Sequence, residues 1–131
     1  MVESARVDQT VRPPAWVVDL FTTIDAQDPT AFADFLTTDA TFIFGNAPAV
    51  HGREAIIAAV SEFFSTIKAL RHELMLVIQQ GSTLVCNGMV TYTRQDDTDV
   101  TLPFSDTFTL HNDKVQVYQI YMDIGPVYGT V

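Results

Sequence analysis

From His72 to Asp123 the chain is dominated by β-branched, aromatic and alternating residues, interrupted by Gln80-Gly81-Ser82, Asp96-Asp97-Thr98-Asp99 and His111-Asn112-Asp113. This pattern constrains the fold more than any other. Turn-forming gaps this short join antiparallel neighbours, so the segment predicts a meander of strands over 72–79, 83–95, 100–110 and 114–123. Such a sheet needs an apolar cover, and the stretch before it supplies one. Read at helical spacing, Val50 to Ala69 sets Ile56, Val60, Phe63, Phe64 and Ile67 on one side, with Glu54, Ser61, Glu62, Ser65 and Lys68 largely opposite. His51-Gly52 predicts a turn ahead of this helix. Glu54 suits its first turn, and Lys68 and Arg71 suit its end, by the sign of the helix dipole.

Upstream, Pro14 to Asp28 carries Val17, Leu20, Phe21 and Ile24 at helical spacing, and Asp25 falls on that same apolar stripe. Asp28-Pro29-Thr30 breaks the helix, and either Asp28 or Thr30 can cap a second, short one carrying Phe32, Phe35 and Leu36 and ending near Thr38-Asp39. Ala40 to Phe44 reads as a brief strand and Gly45-Asn46-Ala47-Pro48 as a loop. Residues 1–13 are polar and end at a proline pair, the composition of an N-terminal arm; 14–131 are expected to form a single domain. The class is α+β, helices gathered in the first half and layered on a sheet from the second. Both faces of the last strand are apolar, with Val115, Val117 and Tyr121 on one side and Tyr118, Ile120 and Met122 on the other. A second copy covering the outer face, and hence a homodimer through the sheet, is therefore expected.

Charge narrows the partners. Seven basic against 16 acidic residues leave a net charge of −9, which repels nucleic-acid backbones and anionic membrane surfaces. Cys86 is the single cysteine, so no internal disulfide forms, and no apolar run is long enough to span a membrane. A cytoplasmic protein is the expectation. His51, His72 and His111 have no companions at metal-ligand spacing, and neither a phosphate-binding glycine loop nor a nucleophile elbow is present; no metal or cofactor is implied.

The order helix, short helix, strand, long helix, four-stranded meander resembles the nuclear-transport-factor-2-like (cystatin-like) superfamily. The run Val50-His51-Gly52-Arg53-Glu54-Ala55-Ile56-Ile57, the late Leu102-Pro103-Phe104-Ser105-Asp106-Thr107-Phe108 and Tyr121-Met122-Asp123 resemble its SnoaL-like branch. The resemblance spans roughly residues 14–125 and implies a cone: a curved antiparallel sheet wrapped around the long helix, with an apolar pocket at one end. The family hosts isomerases, dehydratases, cyclases, hydrolases and plain binding subunits, so chemistry has to be argued from residues.

An acid-base enzyme of this kind needs a titratable group aimed into an apolar hollow. Asp25 and His72 are the first candidates: the acid lies on the apolar stripe of the first helix, and the histidine alternates in register with Leu74, Leu76 and Ile78. A carboxylate beside one imidazole nitrogen fixes the tautomer and leaves the other nitrogen to exchange a proton. Ile24-Asp25-Ala26-Gln27-Asp28 and Arg71-His72-Glu73 also resemble the Asp and His segments of scytalone-dehydratase-like members, with Ile24 and Phe44 standing where that group has tyrosines. Asp106, between Phe104 and Phe108, resembles the neutral acid that donates to an oxyanion in ketosteroid-isomerase-like members. There the general base falls at Phe44. Phe21, Phe44, Asn46, Phe64, Met89, Phe104, Phe108 and Ile120 are the expected lining of a substrate pocket. Met89, Thr91 and Ile120 stand where hydrolase-like and cyclase-like members carry charged groups. Arg94 reads as a solvated turn residue and Asp123 as a backbone cap. The resulting expectation is a cofactor-independent lyase, isomerase or cyclase acting on a small apolar carbonyl compound; the alternative is a binding or accessory module with the same pocket and no turnover.

Overall fold

The computed structural model describes residues 12–129. Residues 1–11, which carry nearly all of the expected arm, lie outside the described residues. Helix α1 (Ala15–Asp25) buries Val17, Leu20, Phe21 and Ile24, and α2 (Pro29–Ala33) is capped by Asp28, whose Oδ1 accepts from the Ala31 amide at 3.0 Å. The chain then turns into β1 (Leu36–Phe44), a two-residue β2 (Val50–His51) and the long helix α3 (Arg53–Ser65). Strands β3 (Ala69–Gln80), β4 (Thr83–Thr93), β5 (Asp99–His111) and β6 (Lys114–Tyr121) follow, and a 3-10 turn (Gly125–Tyr128) closes the described chain. The six strands form one sheet in the order β2-β1-β6-β5-β4-β3. All pairs are antiparallel except β1 with β6, which run parallel, with β2, α3 and the first three strands of the meander between them in sequence.

Several boundaries differ from the sequence reading. The short helix ends at Ala33 and the strand after it begins at Leu36, four residues earlier than expected; Thr37 and Thr38 favour strand, and the Val115 amide donates to the Phe35 carbonyl at 2.8 Å. His51 belongs to β2, and the turn is made by Gly52 alone, at φ +92°. Helix α3 stops at Ser65, so Lys68 and Arg71 lie beyond its last turn; the Lys68 amide instead donates to the Thr93 carbonyl at 2.9 Å. The Asn112-Asp113 connection holds both residues at positive φ (51° and 64°), the two-residue hairpin geometry.

Register irregularities occur in β1, β3 and β6, and such bulges bend and twist the strands that carry them. The one in β3, at Met75, matters most. It resets the alternation so that His72, Leu74 and Val77 are buried while Ile78 is 54% exposed, against the expected register of Leu76 and Ile78 with His72. The inner face of the sheet meets the helices: Phe108 contacts Trp16 and Phe21 of α1, and Tyr118 contacts Phe32 of α2. Met75, Ile78 and Tyr121 are the large apolar side chains left exposed on strands.

Candidate functional site

At the end of α1 and the start of β3 two side chains meet. Asp25 is the last residue of α1 and lies beside the β3 backbone: its Oδ2 accepts from the His72 amide at 3.0 Å and its Oδ1 contacts the His72 Nδ1 at 2.6 Å. The carboxylate therefore grips ring and main chain together. Phe21 tilts over the imidazole at 4.8 Å between ring centroids and Phe104 meets it edge-on at 5.2 Å, so the ring has one orientation. Only 8% of His72 is exposed. With Nδ1 on the carboxylate, Nε2 is the nitrogen left over, and His72 is the member of the pair that lines a cavity.

That cavity has a volume of about 620 Å³, within the range that encloses a drug-sized ligand. Its wall is built from Phe42 and Phe44 of β1, Val60, Phe63 and Phe64 of α3, Tyr92 of β4, and Tyr118 and Ile120 of β6. It reaches the surface where Asn46, Pro48, Asp123 and Tyr128 are exposed. The segment after β6 forms one side of this rim. The Arg94 guanidinium holds it by donating to the Pro126 carbonyl from Nη2 at 3.0 Å and from Nε at 3.3 Å, and Tyr128 Oη lies 2.8 Å from Thr66 Oγ1. Arg94 is thus half-buried and engaged rather than a solvated turn residue. Asp123 Oδ1 accepts from the Gly125 amide at 2.9 Å, a backbone-capping contact made on the cavity rim.

Of the residues expected to line a pocket, Phe44, Asn46, Phe64 and Ile120 do so. Phe21, Phe104 and Phe108 do not. They pack against the imidazole, Trp16 and Tyr118 in the layer between α1 and the sheet. Met89 is also misplaced: on β4 the inward residues are Leu84, Cys86, Val90 and Tyr92, and alternation turns Met89 to the other face. Tyr118, Phe42 and Phe63 are the main wall residues beyond that expectation. Phe63 sits on the apolar stripe of α3 and Tyr118 on an apolar face of β6, so both signals existed; what was not visible is that the cavity lies between those two elements.

Asp106 is 1% exposed and does not reach the cavity wall. Its Oδ2 accepts from Tyr118 Oη at 2.8 Å while Oδ1 has no partner among the described residues. Burial pushes this carboxyl up to about 8, against the opposing pull of the tyrosine hydrogen bond. Asp106 thus lies behind Tyr118, and its link to the cavity runs through that phenol. Burial likewise raises the Cys86 thiol, directly across from Asp106 on β4, and the phenols of Tyr92 and Tyr118. Among the described residues no three His, Cys, Asp or Glu side chains gather to share a metal ion, and no helix is long and apolar enough to cross a membrane.

The model of the SnoaL-like domain family matches residues 17–118. No curated protein matches the chain. Solved structures do: a hypothetical protein with a ketosteroid-isomerase-like fold from Catenulispora acidiphila, in complex with trimethylamine, is 14% identical with a TM-score of 0.82, over 91% of this chain and 93% of that one. A candidate SnoaL-like polyketide cyclase from Jannaschia sp. CCS1 is 22% identical with a TM-score of 0.77, over 92% and 96%. TerC, co-crystallised with polyporic acid, is 16% identical with a TM-score of 0.76, over 87% and 93%. At these identities the likeness establishes the fold: α+β, of the ketosteroid-isomerase-like and cystatin-like kind.

Proposed function

Because this chain belongs to the SnoaL-like domain family, we propose that it is a cofactor-independent acid-base enzyme of the lyase, isomerase or cyclase type, acting on a small apolar carbonyl compound held in the 620 Å³ cavity. The observation that carries this reading is the 2.6 Å contact between His72 Nδ1 and Asp25 Oδ1, made by a histidine that itself lines the cavity. In this mechanism His72 is the catalytic residue: Nε2 takes a proton from the carbon next to the substrate carbonyl and returns it to the product. Asp25 is a positioning residue that stabilises the imidazolium formed in between. Tyr92 on the wall, whose hydroxyl otherwise meets only the Met122 sulfur at 3.5 Å, supplies the donor for the enolate oxygen. Asp106 holds Tyr118 in the wall by accepting its hydrogen bond.

The test uses 2-tetralone, a neutral bicyclic ketone with exchangeable protons beside its carbonyl. In D2O the protein is expected to accelerate their exchange, followed by proton NMR, and His72→Ala to reduce the acceleration by at least ~100-fold while its circular dichroism is unchanged. Equal exchange in both proteins would exclude the dyad. The second reading is a binding module without turnover, favoured by the small ligands, trimethylamine and polyporic acid, found with two fold neighbours. It is supported if ligand affinity survives in His72→Ala and no exchange occurs. Either way two copies are proposed to pair through the outer face of the sheet, where Met75, Ile78 and Tyr121 are exposed.

A further inference from the structure

We infer that the cavity selects flat, uncharged ring systems and excludes carboxylates of the same shape. This names the substrate class of the reading above and rests on the cavity being its ligand site, though not on His72 acting as a base.

The shape preference comes from the walls. Phe44 and Phe63 stand 5.1 Å apart, Phe42 meets Phe44 at 85°, and Tyr92 meets Phe63 at 90°. These rings come from three different elements, β1, α3 and β4, and together they offer both faces and edges to a guest. A flat ligand makes stacked and edge contacts with them at once. A globular aliphatic one of equal volume gains only the area term.

The charge preference comes from counting what faces the guest. Among the described residues lining the cavity, the groups charged or chargeable near neutrality are His72 and Asp123, and none is Lys or Arg. Gripped by Asp25, the His72 pair sums to zero when the imidazole is protonated and to −1 when it is not. Asp123 adds a further carboxylate at the rim. The cations of the surrounding elements are held elsewhere: Arg94 by the Pro126 carbonyl and Thr98, Lys68 by Asp97 at 2.6 Å, and Arg53, through Nη2, by the Leu36 carbonyl. A ligand carboxylate would therefore lose its hydration and meet no Lys or Arg on the wall and no net positive charge from the His72 pair, and a buried anion without such a partner is strongly disfavoured. A hydroxyl or carbonyl oxygen loses far less and still finds the imidazole or a phenol.

The experiment compares 2-naphthol with 2-naphthoate, two bicycles that differ in charge at pH 7, by titration calorimetry on the full chain. Naphthol is expected to bind and naphthoate to bind at least ~100-fold more weakly. Ile120→Arg, which places a guanidinium on the wall, is expected to bring the two affinities within about tenfold of each other. Equal or tighter naphthoate binding by the unaltered protein overturns the inference, as does the absence of naphthol binding at millimolar concentration. Should Ile120→Arg fail to fold, the comparison in the unaltered protein decides alone. Measuring 2-tetralone exchange on the same unaltered protein separates the two claims: the naphthol preference without any exchange would sink the catalytic reading and leave this one standing, and exchange without the preference would do the opposite.

Discussion

The proton on Asp106 is the residue-scale feature with the largest consequence for stability. Unfolded, this carboxyl titrates near its ordinary 3.8; folded, burial holds it up at about 8. Its contribution to folding is therefore fully present below about pH 4 and is lost as pH rises toward 8, at about 1.4 kcal/mol per pH unit and so roughly 6 kcal/mol in all. Asp106→Asn keeps an acceptor for Tyr118 and has no proton to lose. The expected outcome is a wild-type melting temperature that falls between pH 5 and pH 8 while the variant's stays level, with the variant the more stable at pH 8; parallel profiles would show that Asp106 ionises freely. Gly88 makes a second residue-scale prediction. A Cβ there would stand 2.0 Å from the Glu73 carbonyl oxygen and 3.0 Å from the Phe104 ring, both on neighbouring strands. Gly88→Ala is expected to lower denaturant stability by about 2–3 kcal/mol, and a change within 0.5 kcal/mol would contradict that packing. Asp25 and His72 are legible as neighbours because each breaks its own pattern, an acid on an apolar helical stripe and a histidine on an apolar strand face. Asp106 was legible as buried for the same reason. That Tyr118 stands in front of it was not, since two alternating strands do not reveal which side chain of a pair reaches further.

At the scale of elements, the helices, the meander and its turns follow from local periodicity and turn chemistry. The bulge at Met75 and the parallel pairing of β1 with β6 do not. Both are set by how one strand registers on another, β3 on its hairpin neighbour β4 and β1 on the distant β6, and the bulge alone moved Ile78 to the solvent side. The segment after β6 was equally hidden: Val127 is 3% exposed and Met122, Asp123, Ile124 and Tyr128 contribute to the cavity, and its long-range anchors include Arg94, Thr66 and Tyr92, from other elements. Arg94→Ala removes the donors to the Pro126 carbonyl. Amide hydrogen exchange at residues 125–129 is then expected to quicken at least tenfold, with β4 and β5 protected as before. Unchanged exchange there would mean that the Arg94 contacts do not hold the segment.

For the whole molecule, pairing through the sheet predicts a dimer by sedimentation at micromolar concentration, and Tyr121→Glu is expected to shift it toward monomer; a wild-type monomer would remove the outer face from the account. The net charge of −9 and the uncompensated cavity act in the same direction, against anionic guests. The proposed function rests on one imidazole oriented by one carboxylate at the wall of an aromatic hollow. The most direct measurement is 2-tetralone exchange across Asp25→Asn, His72→Ala and the double variant. If the pair works as a unit, each single change lowers the rate at least about tenfold and the double variant is no slower than His72→Ala alone. A double variant whose loss is the product of the two single losses would contradict the coupling, and with it the proposed mechanism.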